Sequence, residues 1–324
     1  MISTVVGSYP KIPDPPAPAR LRTALTRIDR NEVALEELVR IEDDVTREVI
    51  REQEEAGIDL VTDGHIRWSD EVTYVASQFE GISLGALTRF FDTNTYYRRP
   101  VVEERLAWRA PITTRDLVVA AKQSRRPLKA VLPGPYTLAR LSQDRYYGSL
   151  ERLTLAFADA LNSEAKALQE LAPALVQFNE PAITQHPEDV TLAGEAWWRL
   201  LSGLTVETAV YFYFGPPGDA HAQAVEAGFT TIGVDATIEG IMERLESCPR
   251  PGKLAVGVVD SRTTRLESRQ VVEERIRHAL RIVAPEDLYV NPNMGLEFLP
   301  RHWARAKLKL IVEAISRLNG VKCE

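Results

Sequence analysis

The feature that most constrains this chain is a set of eight short apolar, β-branched runs, each ending in turn residues or polar groups. They are STVVGS (3–8), DLVTDG (59–64), KAVLPG (129–134), ALVQFNE (174–180), TAVYFYFG (208–215), TTIGVD (230–235), LAVGVVD (254–260) and DLYVNPN (287–293). Their length and composition predict strands, and near-continuous apolar runs suit a parallel sheet covered on both faces. Helical patterns fall between most of them. Leu38, Ile41, Val45 and Val49 recur at helical spacing before Ala56-Gly57, and the same Ala-Gly stop returns at Ala227-Gly228. Phe157, Leu161, Leu168 and Leu171 mark another amphipathic helix, ended by Pro173, and Pro285 stops the chain before the eighth run.

Eight strands alternating with helices close most simply into one α/β domain, a single (β/α)8 TIM barrel over residues 1–324. The rival, a doubly wound open sheet, needs a Gly-rich phosphate turn after its first strand, and GSYPKIPDPP does not supply one. Active sites of such barrels lie at the C-terminal strand ends. That rule gathers Ser8, Asp63, His65, the Pro133-Gly134-Pro135 turn, Asn179, Glu180, Tyr211, Tyr213, Asp235, Asp260, Arg262, Asn291 and Asn293. Two segments exceed an ordinary connection: residues 9–35, rich in Pro and Arg, and residues 65–127, a long insertion after the second strand that is expected to cover the mouth.

The formal net charge of −7 disfavours nucleic acid or an anionic membrane as partner, leaving a small molecule. The N-terminus has no basic stretch leading into an apolar one, and no run approaches the roughly 20 apolar residues of a membrane span, so a cytoplasmic location is expected. Cys248 and Cys323 are too few for a disulfide framework and read as inert thiols. His186, His221, His278 and His302 read as loop or helix-surface residues. Oligomeric state is not legible.

At the strand ends, VGSYP (6–10), LVTDGHIRWSD (60–70), LPGPYTLA (132–139), QFNEPAI (177–183), GVVDSRT (257–263) and VNPNMGL (290–296) stand in an order that resembles the catalytic C-terminal domain of cobalamin-independent methionine synthases. That family is a group of zinc barrels in the uroporphyrinogen decarboxylase superfamily. The resemblance implies the barrel fold and a methyl transfer with methylfolate or methylcobalamin as candidate donor. The family's stacking Trp after the Gly-Pro turn is unmatched, since the chain runs on to Leu141; Trp68 lies on another mouth loop and reads as packing.

Carried over residue by residue, the family's zinc ligands fall on Tyr211, Tyr213, Met294 and Asp235, of which only Asp235 is an ordinary ligand. The expectation is therefore no zinc and no other resident cofactor. The tyrosines either plug the barrel mouth or donate hydrogen bonds to a substrate oxygen. The family's amine-binding Glu becomes His65, the acid of its Asp-Glu-Pro-Ala motif becomes Asn179 before Glu180, and its proton-relaying His becomes Arg262 after Asp260. These exchanges remove negative charge, so the site is expected to prefer an anion held by Arg262, with Gly7 and Ser8 near its carboxylate. Against this, Arg262 has Asp260 and Glu267 as internal salt-bridge candidates, and His65 reads equally as a satisfied loop histidine.

Three functions compete. The first is a methionine-synthase-like methyl or alkyl transferase. The second is a metal-free lyase or decarboxylase, with Arg262 anchoring a carboxylate, Tyr211 and Tyr213 stabilising oxyanion charge, and Asp260, Glu180 or His65 moving the proton. The third is a non-catalytic binding barrel.

Overall fold

The computed structural model describes residues 1–320, so Cys323 lies outside the described residues. The strands are β1 (Ile2–Ser3), β2 (Glu80–Arg89), β3 (Tyr96–Ala107), β4 (Lys129–Pro133), β5 (Gln143–Asp144), β6 (Leu175–Asn179), β7 (Thr208–Tyr211), β8 (Thr231–Asp235), β9 (Lys253–Val259) and β10 (Leu288–Pro292). A seven-stranded sheet runs β1-β10-β9-β8-β7-β6-β4, with every neighbouring pair parallel. This curled parallel sheet, wrapped by helices, is the α/β architecture the apolar runs call for.

The run at 59–64 does not form a ladder. It contributes two single-residue parallel bridges, Thr4 to Leu60 and Val61 to Leu128. Its amides still find partners, Leu60 N–H donating to Ser3 O and Val61 N–H to Pro127 O, each at 3.1 Å. The run at 208–215 is also shorter than expected, because Phe214 takes a left-handed φ of 71° that ends extended pairing. The two Ala-Gly stops behave as read: Gly57 (φ 90°) and Gly228 (φ 103°) close their helices in the left-handed region.

Residues 65–127 fold into a short helix (Glu71–Ala76), the antiparallel hairpin β2–β3 and a helix (Thr114–Gln123). β5 joins the hairpin to make a second, three-stranded sheet. One buried carboxylate ties this segment to the helical layer. Glu164, within helix Leu150–Gln169, accepts from Trp108 Nε1, Ile112 N, Thr113 N and Thr113 Oγ1, all at 2.8 Å.

Two apolar clusters follow from strand alternation. The larger lies between sheet and helices and includes Val176, Phe178, Val210 and Ile232. The smaller fills the inside of the curl, with Val6, Leu60, Leu175, Tyr211, Tyr213 and Tyr289. Above it the interior turns polar, and that change places the site. Among the described residues, no helix is long and apolar enough to cross a membrane.

Candidate active site

A cavity of about 70 Å3 opens at the C-terminal strand ends, lined by Ser8, Lys11, His65, Trp68, Glu71 and Glu297 and faced by Phe90 and Thr95 of the hairpin segment. From Glu71 a continuous hydrogen-bonded chain leads from this cavity into the interior. Lys129 Nζ donates to Gln177 Oε1 (2.6 Å), Gln177 Nε2 to Asn179 Oδ1 (2.7 Å), and Asn179 Nδ2 to Glu71 Oε1 (2.8 Å). The Tyr213 hydroxyl approaches Glu71 Oε2 at 3.5 Å. The links through Lys129, Gln177 and Asn179 use inward-facing alternate residues of β4 and β6, so strand periodicity aims that chain toward Glu71.

Burial controls the charges here. It pushes Glu71 up to about 8, with Glu297 and Asp70 adding to the rise against the pull of Asn179. Glu297 is pushed up to about 7 by burial, against Lys11. Lys11 is itself brought down to about 8 by burial, against the surrounding carboxylates. Lys129, enclosed in the interior with its ammonium 5.0 Å from the Tyr211 ring centre, is held well below the usual lysine range.

His65 lies flat on Trp68, with ring centres 3.7 Å apart, and Trp68 stacks on Tyr74. His65 Nδ1 and Ser8 Oγ are 3.0 Å apart, and its backbone N–H donates to Asp63 Oδ1 at 3.1 Å. Desolvation lowers the imidazole to about 3, so it is neutral near pH 7. Gly7 makes room for the ring, since a Cβ there would stand 2.9 Å from His65 Cε1. Trp68 and Tyr74 both donate to Asp116 Oδ2, at 3.1 Å each, so the expected packing role of Trp68 comes with a polar anchor.

The tyrosines sit apart. The Tyr211 ring is 2% exposed and occupies space that Gly233 leaves open, where a Cβ would come within 2.5 Å of the ring. Its hydroxyl reaches Asn291 Oδ1 at 3.5 Å, while Asn291 Nδ2 donates to Pro292 O at 2.7 Å. Tyr211 is thus interior packing with a weak polar contact, and Tyr213 faces the cavity chain.

A second polar group surrounds Asn293, whose Nδ2 donates to Asp235 Oδ2 (3.1 Å) and Asp260 Oδ1 (3.2 Å). Asp235 Oδ1 also accepts from Thr237 Oγ1 at 2.5 Å. Arg262 closes onto Asp260 through Nε at 2.9 Å and Nη2 at 3.3 Å, and is not among the residues that line the cavity. The internal salt bridge weighed from sequence is therefore formed.

Glu180 points the other way. Consecutive strand residues face opposite sides, and with Asn179 inward, Glu180 turns into the helical layer. Its carboxylate accepts from Tyr136 N (3.1 Å), Thr137 N (2.8 Å), Thr137 Oγ1 (2.7 Å) and Trp197 Nε1 (3.0 Å). These bonds clamp the Pro133-Gly134-Pro135 turn. His221, expected at a surface, is 1% exposed, and burial lowers its ring to about 4.

Sequence reading missed Lys11, Glu71, Lys129, Gln177 and Glu297. Lys129 and Gln177 carried a signal, as polar residues inside runs that should be wholly apolar. Lys11 and Glu297 sit in irregular connections and Glu71 opens a helix of six residues, so no periodicity announces an inward direction.

The family's zinc finds no fit in this donor set. Among the described residues no three His, Cys, Asp or Glu side chains converge as a metal site. At the mapped positions, Tyr211 is packed on Gly233, Met294 belongs to the apolar interior, and Asp235 is engaged by Thr237 and Asn293.

A family model described as "Cobalamin-independent synthase, Catalytic domain" matches residues 1–199 and 219–317. Tyr211 and Tyr213 fall between the two matched stretches. The chain is 30% identical over 319 residues to a methionine synthase of Sulfurisphaera tokodaii, covering 96% of this chain and 90% of that protein. It is 28% identical over 316 residues to a methionine synthase of Thermococcus kodakarensis, covering 97% and 92%. Among solved structures, a B12-independent methionine synthase from Shewanella sp. W3-18-1 in complex with selenomethionine superposes with a TM-score of 0.83 at 25% identity, covering 98% of this chain and 97% of that one. With nearly the whole length matched in order, the chain belongs to the cobalamin-independent synthase catalytic-domain family.

Proposed function

We propose that this protein is a methionine-synthase-like methyl or alkyl transferase acting on a small molecule, diverged from its relatives and working without their zinc. The observation that carries the reading is a cavity with Lys11 and several carboxyl groups at the C-terminal strand ends, in a chain matched over nearly all of its length by a methionine synthase. The parallel bridges at Leu60 and Val61, on the two flanks of the sheet, support a closed eight-position barrel as one domain, with residues 65–127 as the wall of its mouth. Absence of zinc is supported by the placement of Tyr211, Tyr213, Met294 and Asp235 described above.

In this reading Ser8, Asn179, Asp63 and His65 shape the substrate pocket, and Tyr213 lies beside the reacting groups. Tyr211, Asn291 and Asn293 hold the strand ends in place, and Glu180 clamps the turn at Gly134. The decarboxylase reading gains less support, because its carboxylate anchor, Arg262, is engaged by Asp260. The cavity's lining includes one Lys11 ammonium against the carboxyl groups of Asp70, Glu71 and Glu297, so a plain preference for anions is not favoured either.

Two measurements test the proposal. Elemental mass spectrometry of protein purified without added metal or chelator should find well under one zinc per chain. The same protein should then transfer a methyl group from methylfolate or methylcobalamin to homocysteine or a related acceptor. Stoichiometric zinc would remove the metal-free part, and no transfer to any thiol would remove the transferase reading.

A further inference from the structure

Within the metal-free transferase reading, on which this inference rests, an acceptor X–H must lose its proton as it is alkylated, and no Lewis acid is assigned to lower that cost. We propose that Glu71 is the catalytic residue that takes this proton, with Asn179 and Tyr213 as its positioning residues.

Three observations converge. First, the Glu71 carboxylate lines the cavity while one oxygen is fixed by Asn179 Nδ2 at 2.8 Å, which sets its direction. Asn179 is in turn held by Gln177, and Gln177 by Lys129, so the aim of the carboxylate is set by the strands as well as by its own short helix. Second, the other oxygen has only the long 3.5 Å contact to the Tyr213 hydroxyl, leaving it able to accept a proton from a ligand. Third, His65, 3% exposed, lines the same cavity with Nε2 unpartnered, a buried polar atom that a bound ligand would satisfy.

The step balances with methylfolate as donor once its N5 has taken a proton from solvent, so that the methyl group is carried on a positively charged nitrogen. The acceptor's X–H bond breaks and its proton passes to Glu71. The X electron pair forms the new bond to the methyl carbon, and the carbon–nitrogen bond breaks with its pair going to the leaving nitrogen, which becomes neutral. Glu71 returns the proton to solvent in the next cycle. The groups facing Glu71 are Asn179 and Tyr213 from the strand ends, Glu297 from the loop after β10, Asp70 beside it and Lys11 across the cavity. Burial and the two acidic neighbours hold Glu71 near 8, where a carboxylate is a competent base.

The test uses Glu71→Gln and Glu297→Gln in the full chain. In substrate-free wild type, difference infrared spectroscopy should show a protonated carboxyl that disappears as pH rises through about 8. Glu71→Gln should lack that component, and Glu297→Gln should move it to lower pH by removing a like charge. With homocysteine as acceptor and methylfolate as donor, Glu71→Gln should bind homocysteine within about threefold of wild type yet turn over on the order of 10²–10⁴ times more slowly. The base-side rise in its rate should also be lost. Glu297→Gln, a second variant in case the first misfolds, should shift the rise in rate to lower pH. A wild type without the titrating carboxyl, or a Glu71→Gln variant with wild-type rate and pH profile, would overturn the proposal. The infrared titration needs no substrate, so a failure there is distinct from a failure of methyl transfer, which would count against the transferase reading instead.

Discussion

Replacing Glu180 separates a structural clamp from a proton carrier. The carboxylate is fully buried and accepts four hydrogen bonds, two from backbone N–H groups of the turn after β4, one from the Thr137 hydroxyl and one from the Trp197 indole. Hydrogen bonds to a charged acceptor contribute about 1.5–3 kcal/mol each. A simple sum would reach roughly 6–12 kcal/mol, but donors sharing one acceptor are not additive. Breaking a buried charged network by removing one member costs about 3–5 kcal/mol, and Glu180→Ala is expected near 4. Glu180→Gln keeps the volume and one acceptor oxygen but turns an NH2 toward existing donors, so about 2 kcal/mol is expected. Gly134→Ala tests the same contact from the other side, because its Cβ would lie 2.1 Å from Glu180 Cδ. Urea unfolding by circular dichroism measures all three, and residual transferase activity per folded molecule should change little in Glu180→Gln. If Glu180→Ala lost under about 1 kcal/mol while Glu180→Gln abolished transfer at normal stability, the clamp would be wrong and a proton-moving role restored.

Further outcomes follow from other parts of the site. Tyr211→Phe should change stability by no more than about 1 kcal/mol, because its hydroxyl contact at 3.5 Å is weak, whereas Tyr211→Ala should cost about 3–5 kcal/mol as a cavity; an equal loss in both variants by urea titration would contradict the packing role. Gly233→Ala should destabilise by about 1–3 kcal/mol, since its methyl group would meet the Tyr211 ring at 2.5 Å, and a neutral effect on the melting temperature would mean that the ring can move. His221 keeps a folded value of about 4 against about 6.5 unfolded, so the unfolded chain binds the extra proton as pH falls and stability drops below about 6.5. Between pH 7 and 5 that loss is about 2 kcal/mol, and it should be absent from His221→Gln in paired urea titrations; identical pH dependence in both proteins would show that the ring titrates freely in the fold. For His65, ring NMR signals should show no protonation between pH 5 and 8, and a transition near the ordinary histidine value would mean that the stack on Trp68 opens.

Strand identity and order were legible because both depend on short-range pattern. Apolar β-branched runs bounded by Gly, Pro, Asn and Asp mark buried parallel strands, and all seven strands of the parallel sheet overlap predicted runs, whereas β2, β3 and β5 of the smaller sheet fall in none. The two misjudged runs failed for local backbone reasons: Phe214 turns left-handed, and the 59–64 run pairs through isolated bridges. The clustering of polar groups at the strand ends was equally readable, and motif order was enough to place the family. Alternation alone also implied that Asn179 and Glu180 cannot share a face, a deduction that would have separated site from clamp.

What the sequence by itself determined is therefore the alternation of strand and helix, the end of the sheet at which polar side chains collect, and the family. Only the tertiary structure decided which of those polar groups meet. Glu71 reaches Asn179 across 108 residues of chain, Arg262 is engaged by a neighbour two positions away, and Glu297 and Lys11 enter the cavity from connections without periodicity. Direction along a strand is set by a two-residue repeat carried in the sequence, whereas direction in a loop is set by whatever the loop packs against, and that is known only once the whole chain has folded.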